Sequence, residues 1–167
     1  MFTNDLLQPK LVTALVGPPA VGKSTFIVEM GCENNTLSAD SIREELGCAV
    51  INPDGTGYIR QDRNKEVFVI FDERYEKALQ TGDAIVIDNT NVQKWALEKL
   101  RNKAKEYGYE FKVVLFDISL ETILERNTKR GYKNVPADVV KRMYNAMQEL
   151  DLSSYEIVHI VREADQK

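Results

Sequence analysis

"LVTALVGPPAVGKST" at residues 11–25 passes from an uncharged, branched, strand-length run into a loop bounded by Gly17 and Gly22, and then into Lys23-Ser24-Thr25. Gly17-Pro18-Pro19-Ala20-Val21-Gly22-Lys23-Ser24 has the spacing G-x-x-x-x-G-K-[ST]. The two glycines permit a tight backbone turn that aims N–H groups inward, and a helix opening near Gly22 adds its positive end. Lys23 is expected to reach the β- and γ-phosphates of a nucleotide and Ser24 to bind Mg²⁺, with Gly17–Thr25 as the cradle. The motif leaves the acceptor open: water, protein, nucleotide and nucleic acid all remain.

Outward from this loop, short apolar runs alternate with longer amphipathic ones. Strands are expected at 10–16, near 35–38, and at 84–88, 111–116 and 156–161. Helices are expected at 22–31, 41–47, 60–81, 92–107, 119–130 and 137–150. Ser41 with Glu44 and Thr90 with Gln93 match the capping box, Pro136 stands at a helix start, and Gly82 and Gly108 follow helical runs. The segment 48–59 carries turn residues and reads as a loop; its Asp54-Gly55-Thr56 is a turn rather than a phosphatase nucleophile motif, since Asn52 stands where that motif has an aspartate two residues earlier. Strand–helix alternation predicts an α/β domain over 1–167, with a parallel central sheet of about five strands, helices on both faces and ligands at the strand C-termini.

The chain has 167 residues, enough for one domain with a sizeable core. It is 29% charged and 43% hydrophobic, and it carries nothing near the ~18 consecutive apolar residues of a membrane helix. The N-terminal MFTNDLLQPK lacks the pattern of a secretory signal, and Cys32 and Cys48 form no metal or CxxC spacing, so reduced thiols in a cytoplasmic protein are expected. The net charge of −4 argues against indiscriminate nucleic-acid binding, yet residues 94–142 hold 12 Lys/Arg against 7 Asp/Glu. That excess suits either a polyanion-facing surface or plain solvated helix faces.

Three places carry candidate chemistry. Asp40 opens a helix with Arg43 one turn on, so a carboxylate able to take a proton shares a face with an arginine able to hold an acceptor phosphate; the plainer alternative is a helix cap. Asp88 ends the strand AIVID, where an acid close to metal or substrate sits in phosphate-loop proteins, or else it too is a cap. Arg126 and Arg130 stand four apart on an expected helix and point the same way, with a mobile connection after them. They suit a lid over phosphates (about residues 126–136) or solvent-facing positions. His159 in an apolar strand reads as a packed core residue, and Trp95, Tyr107 and Tyr109 as packing aromatics, with stacking on a base the alternative for one at the surface.

The stretches KEYGY (105–109), Phe116-Asp117 and ERNTKRGYKNVPADVVKRMYNAM (125–147) go beyond the phosphate loop. With them the chain, from about residue 10 to 151, resembles the 5′-kinase domain of the phage polynucleotide kinase/phosphatases. The resemblance implies a P-loop kinase fold with a helical lid, and transfer of the ATP γ-phosphate to the 5′-hydroxyl of DNA or RNA with Mg²⁺. It also implies Asp40 as general base, Arg43 as the acceptor-phosphate contact, and Arg126 and Arg130 as lid arginines, with Arg130 on the donor phosphates. Ser24 and Asp88 are then the expected metal residues, and Asp88 also borders the substrate. Two departures stand out. The chain stops at Lys167, so no phosphatase domain is expected, and the family aspartate aligns with Asn89, leaving its role open between Asp88 and Asn89. Rival readings are a P-loop kinase of a nucleoside, nucleotide or sugar, and an ATP-binding module that transfers nothing.

Overall fold

A computed structural model describes residues 6–166; the N-terminal reading and the outermost residues of the expected domain fall partly outside that range. The chain builds a five-stranded sheet in the order β2-β5-β1-β6-β7, every pairing parallel. The strands are β1 (Leu11–Val16), β2 (Thr36–Leu37), β5 (Ile85–Asp88), β6 (Glu110–Asp117) and β7 (Ile157–Arg162). Around them lie α1 (Lys23–Glu29), α2 (Ala39–Glu45), α3 (Asn64–Thr81), α4 (Lys94–Glu106), α5 (Leu120–Asn127) and α6 (Ala137–Gln148). Among the described residues no helix is long and apolar enough to cross a membrane.

The central strand explains why the sheet was readable. All six residues of β1 are buried, as a strand covered on both faces requires. Val12, Ala14 and Val16 face one cluster with Phe71 and Tyr75 of α3 and Leu97 of α4, while Leu15 faces the other with Phe26 of α1, Phe116 of β6 and Ile123 of α5. The Phe26 and Phe116 rings meet edge-on at 5.4 Å and fasten α1 to the sheet; such a pair contributes about 0.5–1.5 kcal/mol beyond its buried area. Cys32 and Cys48 are free and buried.

Several local expectations are corrected. α2 begins at Ala39, not Ser41: Ser38 is its cap, its Oγ accepting from the Ser41 N–H at 3.3 Å, so Asp40 lies within the first turn. The displacement has a distant cause, because the Asn89 side chain accepts the Ala39 N–H at 2.9 Å. At α4 the cap position is Gln93 without a side-chain bond, and Thr90 is outside it. The expected loop at 48–59 is an antiparallel hairpin, β3 (Ala49–Ile51) with β4 (Gly57–Ile59), closed by the predicted turn, in which Asp54 accepts from the Thr56 hydroxyl at 2.6 Å. Trp95 is 68% exposed rather than packed, and His159 is half-buried on the edge strand β7 instead of in the core. Tyr109 is buried, its hydroxyl donating to Asp83 O at 2.8 Å.

The lid differs most. α5 stops at Asn127, and residues 131–133 form a single 3-10 turn. The buried Asn127 side chain ends the helix by clipping the chain beyond it: Nδ2 donates to Val135 O at 2.6 Å, and Oδ1 accepts from Val135 N at 3.0 Å. Arg130 therefore lies outside the helix, and the two lid arginines do not share a face. Asn127→Ala leaves two backbone groups of the lid without these partners, and a buried unsatisfied group costs roughly 1–3 kcal/mol. We expect the variant to melt several degrees lower and its lid to be cleaved first in limited proteolysis.

Candidate active site

The phosphate loop is shaped by backbone that side chains disfavour. Ala20 has φ of 71° and Gly22 of 102°. A Cβ at Gly17 would lie 2.8 Å from Val21 Cγ2 and 3.3 Å from Phe116 Cβ, so only glycine lets the loop leave β1 this close to β6. The Gly17 N–H donates to Thr90 O at 2.9 Å, which ties the loop to the segment after β5. Lys23 is fixed by Nζ bonds to Gly17 O at 2.7 Å and Asn89 O at 3.3 Å. Burial lowers its pKa, and the negative fields of Asp88 and then Asp40 work against that.

Parallel pairing of β2 with β5 (Leu37 beside Ile87) delivers the start of α2 next to the end of β5. Asp40 and Asp88 thereby border one open cleft of about 1300 Å³ with Lys23, Ser24, Arg43 and Arg130. Asp40 Oδ1 accepts from Arg43 Nη1 at 2.6 Å; the Asp40 side chain is 61% exposed and that of Arg43 only 10%. Arg43 Nε donates to Asn64 Oδ1 at 3.0 Å, and among the described residues its Nη2 meets no protein acceptor. The guanidinium is locked on two sides and open on a third.

Burial raises the Asp88 pKa, and the Lys23 charge opposes the rise. Burial likewise lowers the Arg130 pKa against the fields of Asp40 and Asp88. Two cations and two acids thus share one electrostatic neighbourhood. Arg126 borders the same cleft and is bonded beside the phosphate loop: Nη2 donates to Gln166 Oε1 at 2.8 Å and Nη1 to Val21 O at 3.4 Å, while Gln166 Nε2 donates to Val21 O at 2.7 Å. The side chain of Asn89 is taken up by the Ala39 N–H, while the fields of Asp88 and then Asp40 reach Lys23.

Other side chains at the site had no sequence signal. Asn64 and Gln166 act across folds in the chain, as does Glu44, which accepts from the Tyr132 hydroxyl of the lid at 2.9 Å and lies 3.9 Å from Lys133 Nζ. The lid also rests on the hairpin, where a Cβ at Gly131 would stand 2.7 Å from Gly55 O. Oxygen donors suited to a hard cation are Ser24 and Asp88; among the described residues no three His, Cys, Asp or Glu side chains group into a metal cage.

The chain is similar to known proteins in sequence and fold. The L-seryl-tRNA(Sec) kinase of Methanococcus maripaludis is 30% identical over 141 residues, covering 80% of this chain and 51% of that protein. A protein of Autographa californica nuclear polyhedrosis virus, assigned as a bifunctional polynucleotide kinase/RNA ligase, is 26% identical over 163 residues, covering 92% of this chain and 23% of its own length. The chain thus spans about half or less of these curated relatives. Among solved structures, a chain of the Pnkp1/Rnl/Hen1 RNA repair complex superposes with a TM-score of 0.68 at 22% identity, over 84% of this chain and 45% of that one, and so shares the fold. The AAA_33 family profile, an AAA domain, matches residues 12–150, so the chain belongs to that family, and with its parallel five-stranded sheet it has the P-loop kinase fold.

Proposed function

We propose that the protein is an ATP-dependent kinase that phosphorylates the 5′-hydroxyl of a polynucleotide. The observation that carries this reading is the Asp40–Arg43 pair: a carboxylate open to the cleft, 2.6 Å from a nearly buried guanidinium that Asn64 also holds. A guanidinium fixed in this way is preorganised for a charge-assisted contact with a phosphate. A strand terminus offers such a phosphate one nucleotide beyond its free 5′-hydroxyl, whereas a plain sugar or nucleoside does not. Similarity to a relative named for a polynucleotide supports this reading.

In this reading the loop Gly17–Thr25 wraps the donor phosphates and Lys23 offsets their charge. Arg43 holds the acceptor phosphate. Asp40 takes the proton of the 5′-hydroxyl as its oxygen bonds to the γ-phosphorus; the bond from that phosphorus to the β–γ bridging oxygen breaks in line, and ADP leaves with the electron pair. Arg130 supplies positive charge to the transferring group, and Arg126, bonded to Val21 and Gln166, keeps the lid base against the phosphate loop. Ser24 and Asp88 would hold a magnesium ion, which when bound neutralises phosphate charge.

The test is transfer of labelled γ-phosphate to a panel of 5′-hydroxyl DNA, 5′-hydroxyl RNA, nucleosides and sugars. Oligonucleotides are expected to be preferred, with an apparent affinity that falls as salt rises. Preference for a sugar or an unphosphorylated nucleoside overturns the reading, as does ATP hydrolysis indifferent to every acceptor.

A further inference from the structure

Two large aromatic side chains border the active-site cleft without being packed away. Tyr58, on β4 of the hairpin, is 55% exposed, and Phe68, on α3, is 41% exposed. Burying such rings is favourable, and leaving two of them open in one cleft is unusual unless a ligand covers them. Phe68 is held in place from behind: its ring lies 6.2 Å from that of the buried Phe71, and the Arg43 guanidinium sits 5.8 Å from its centroid. The phosphate anchor and the aromatic surface are therefore direct neighbours.

Two of the polar groups that share this cleft, Asn64 and Gln61, are uncharged amides. Asn64, which fixes Arg43, donates through Nδ2 to Gln61 Oε1 at 3.3 Å, and both amides line the cleft. Amides with donors and acceptors suit the edge of a heterocycle, and aromatic rings suit its face. An acceptor that places a phosphate on Arg43 and a hydroxyl at Asp40 has a base attached to the same terminal nucleotide. We propose that Tyr58 and Phe68 form the stacking subsite for the nucleobase of the nucleotide that bears the accepting 5′-hydroxyl, with Gln61 and Asn64 at its edge. This deepens the polynucleotide reading and rests on it. It also accounts for the β3–β4 hairpin, which brings Tyr58 to the cleft.

The experiment pairs each ring with its intended partner. Phe68→Ala and Tyr58→Ala are assayed on a 5′-hydroxyl oligonucleotide with an intact first nucleotide, and on the same strand with an abasic first residue that retains ribose, hydroxyl and phosphate. Stacking of one base on one ring corresponds to a loss of roughly five- to 150-fold. We expect each variant to lose on the order of tenfold in kcat/KM on the intact strand, chiefly through KM. On the abasic strand the ratio of wild type to variant should fall toward one. Phe68→Tyr, which keeps the ring, should restore most of the loss.

An equal loss on both strands overturns the subsite, because Phe68 would then serve only to hold Arg43. So does no loss on either. If these oligonucleotides are phosphorylated but ring and base show no coupling, the subsite alone fails. If neither wild type nor variant phosphorylates any oligonucleotide, the polynucleotide reading fails and the subsite falls with it.

Discussion

Asp40→Asn is expected to bind ATP as the wild type does and to transfer its phosphate ~10²–10⁴-fold more slowly, the usual range for a lost general base. The substitution is nearly isosteric. Its amide oxygen can still accept the Arg43 Nη1 hydrogen bond now made at 2.6 Å, so α2 and the acceptor guanidinium keep their places. What disappears is the negative charge that draws off the proton and that also bears on Lys23 and Arg130. Nucleotide titration and single-turnover transfer, run on the same preparation, separate the two effects. Transfer within a few-fold of wild type would remove Asp40 from the chemistry.

Lys23→Ala should fail differently, with ATP affinity and transfer falling together. Lys23 Nζ joins Gly17 O to Asn89 O and is the leading opposing charge to the buried Asp88. Alanine removes the cation meant for the donor phosphates and leaves that acid without it. Loss of a single preorganised donor to a reacting oxyanion lowers kcat by ~10²–10³-fold, and the weaker nucleotide binding adds to this. Unchanged ATP affinity in the variant would show that the loop holds phosphates without its lysine. A melting curve of the apo protein checks that the fold survives.

Where the sequence was readable, the determinants were contiguous. The phosphate loop spans neighbouring residues, and the buried parallel strand β1 declares itself as a nearly continuous apolar run broken only by Thr13. Asp88 could be found because a strand end is visible in sequence. The misreadings arose from contacts between distant residues. Ser41 was the expected cap, but Asn89 claims the Ala39 N–H from fifty positions away and moves the helix start. Arg126 and Arg130 fit one helical face by spacing, until Asn127 closes on Val135 and stops the helix between them. The hairpin gave no signal because its strands have three residues each, too few for an alternating pattern to register. Glu44 and Tyr132, 88 positions apart, are equally silent in the sequence.

The segment from Asp88 to Asn91 grips both halves of the cleft at once: Thr90 O receives the Gly17 N–H, and the Asn89 side chain receives the Ala39 N–H. In the proposed reaction it is a ruler laid between donor and acceptor. Adding one residue to it would move one graduation by up to ~3.3 Å, about the whole reach between reacting atoms in a near-attack pose. Lengths elsewhere on the surface can drift; in the proposed reaction the gauge of this short link is set by the path the phosphoryl group must cross.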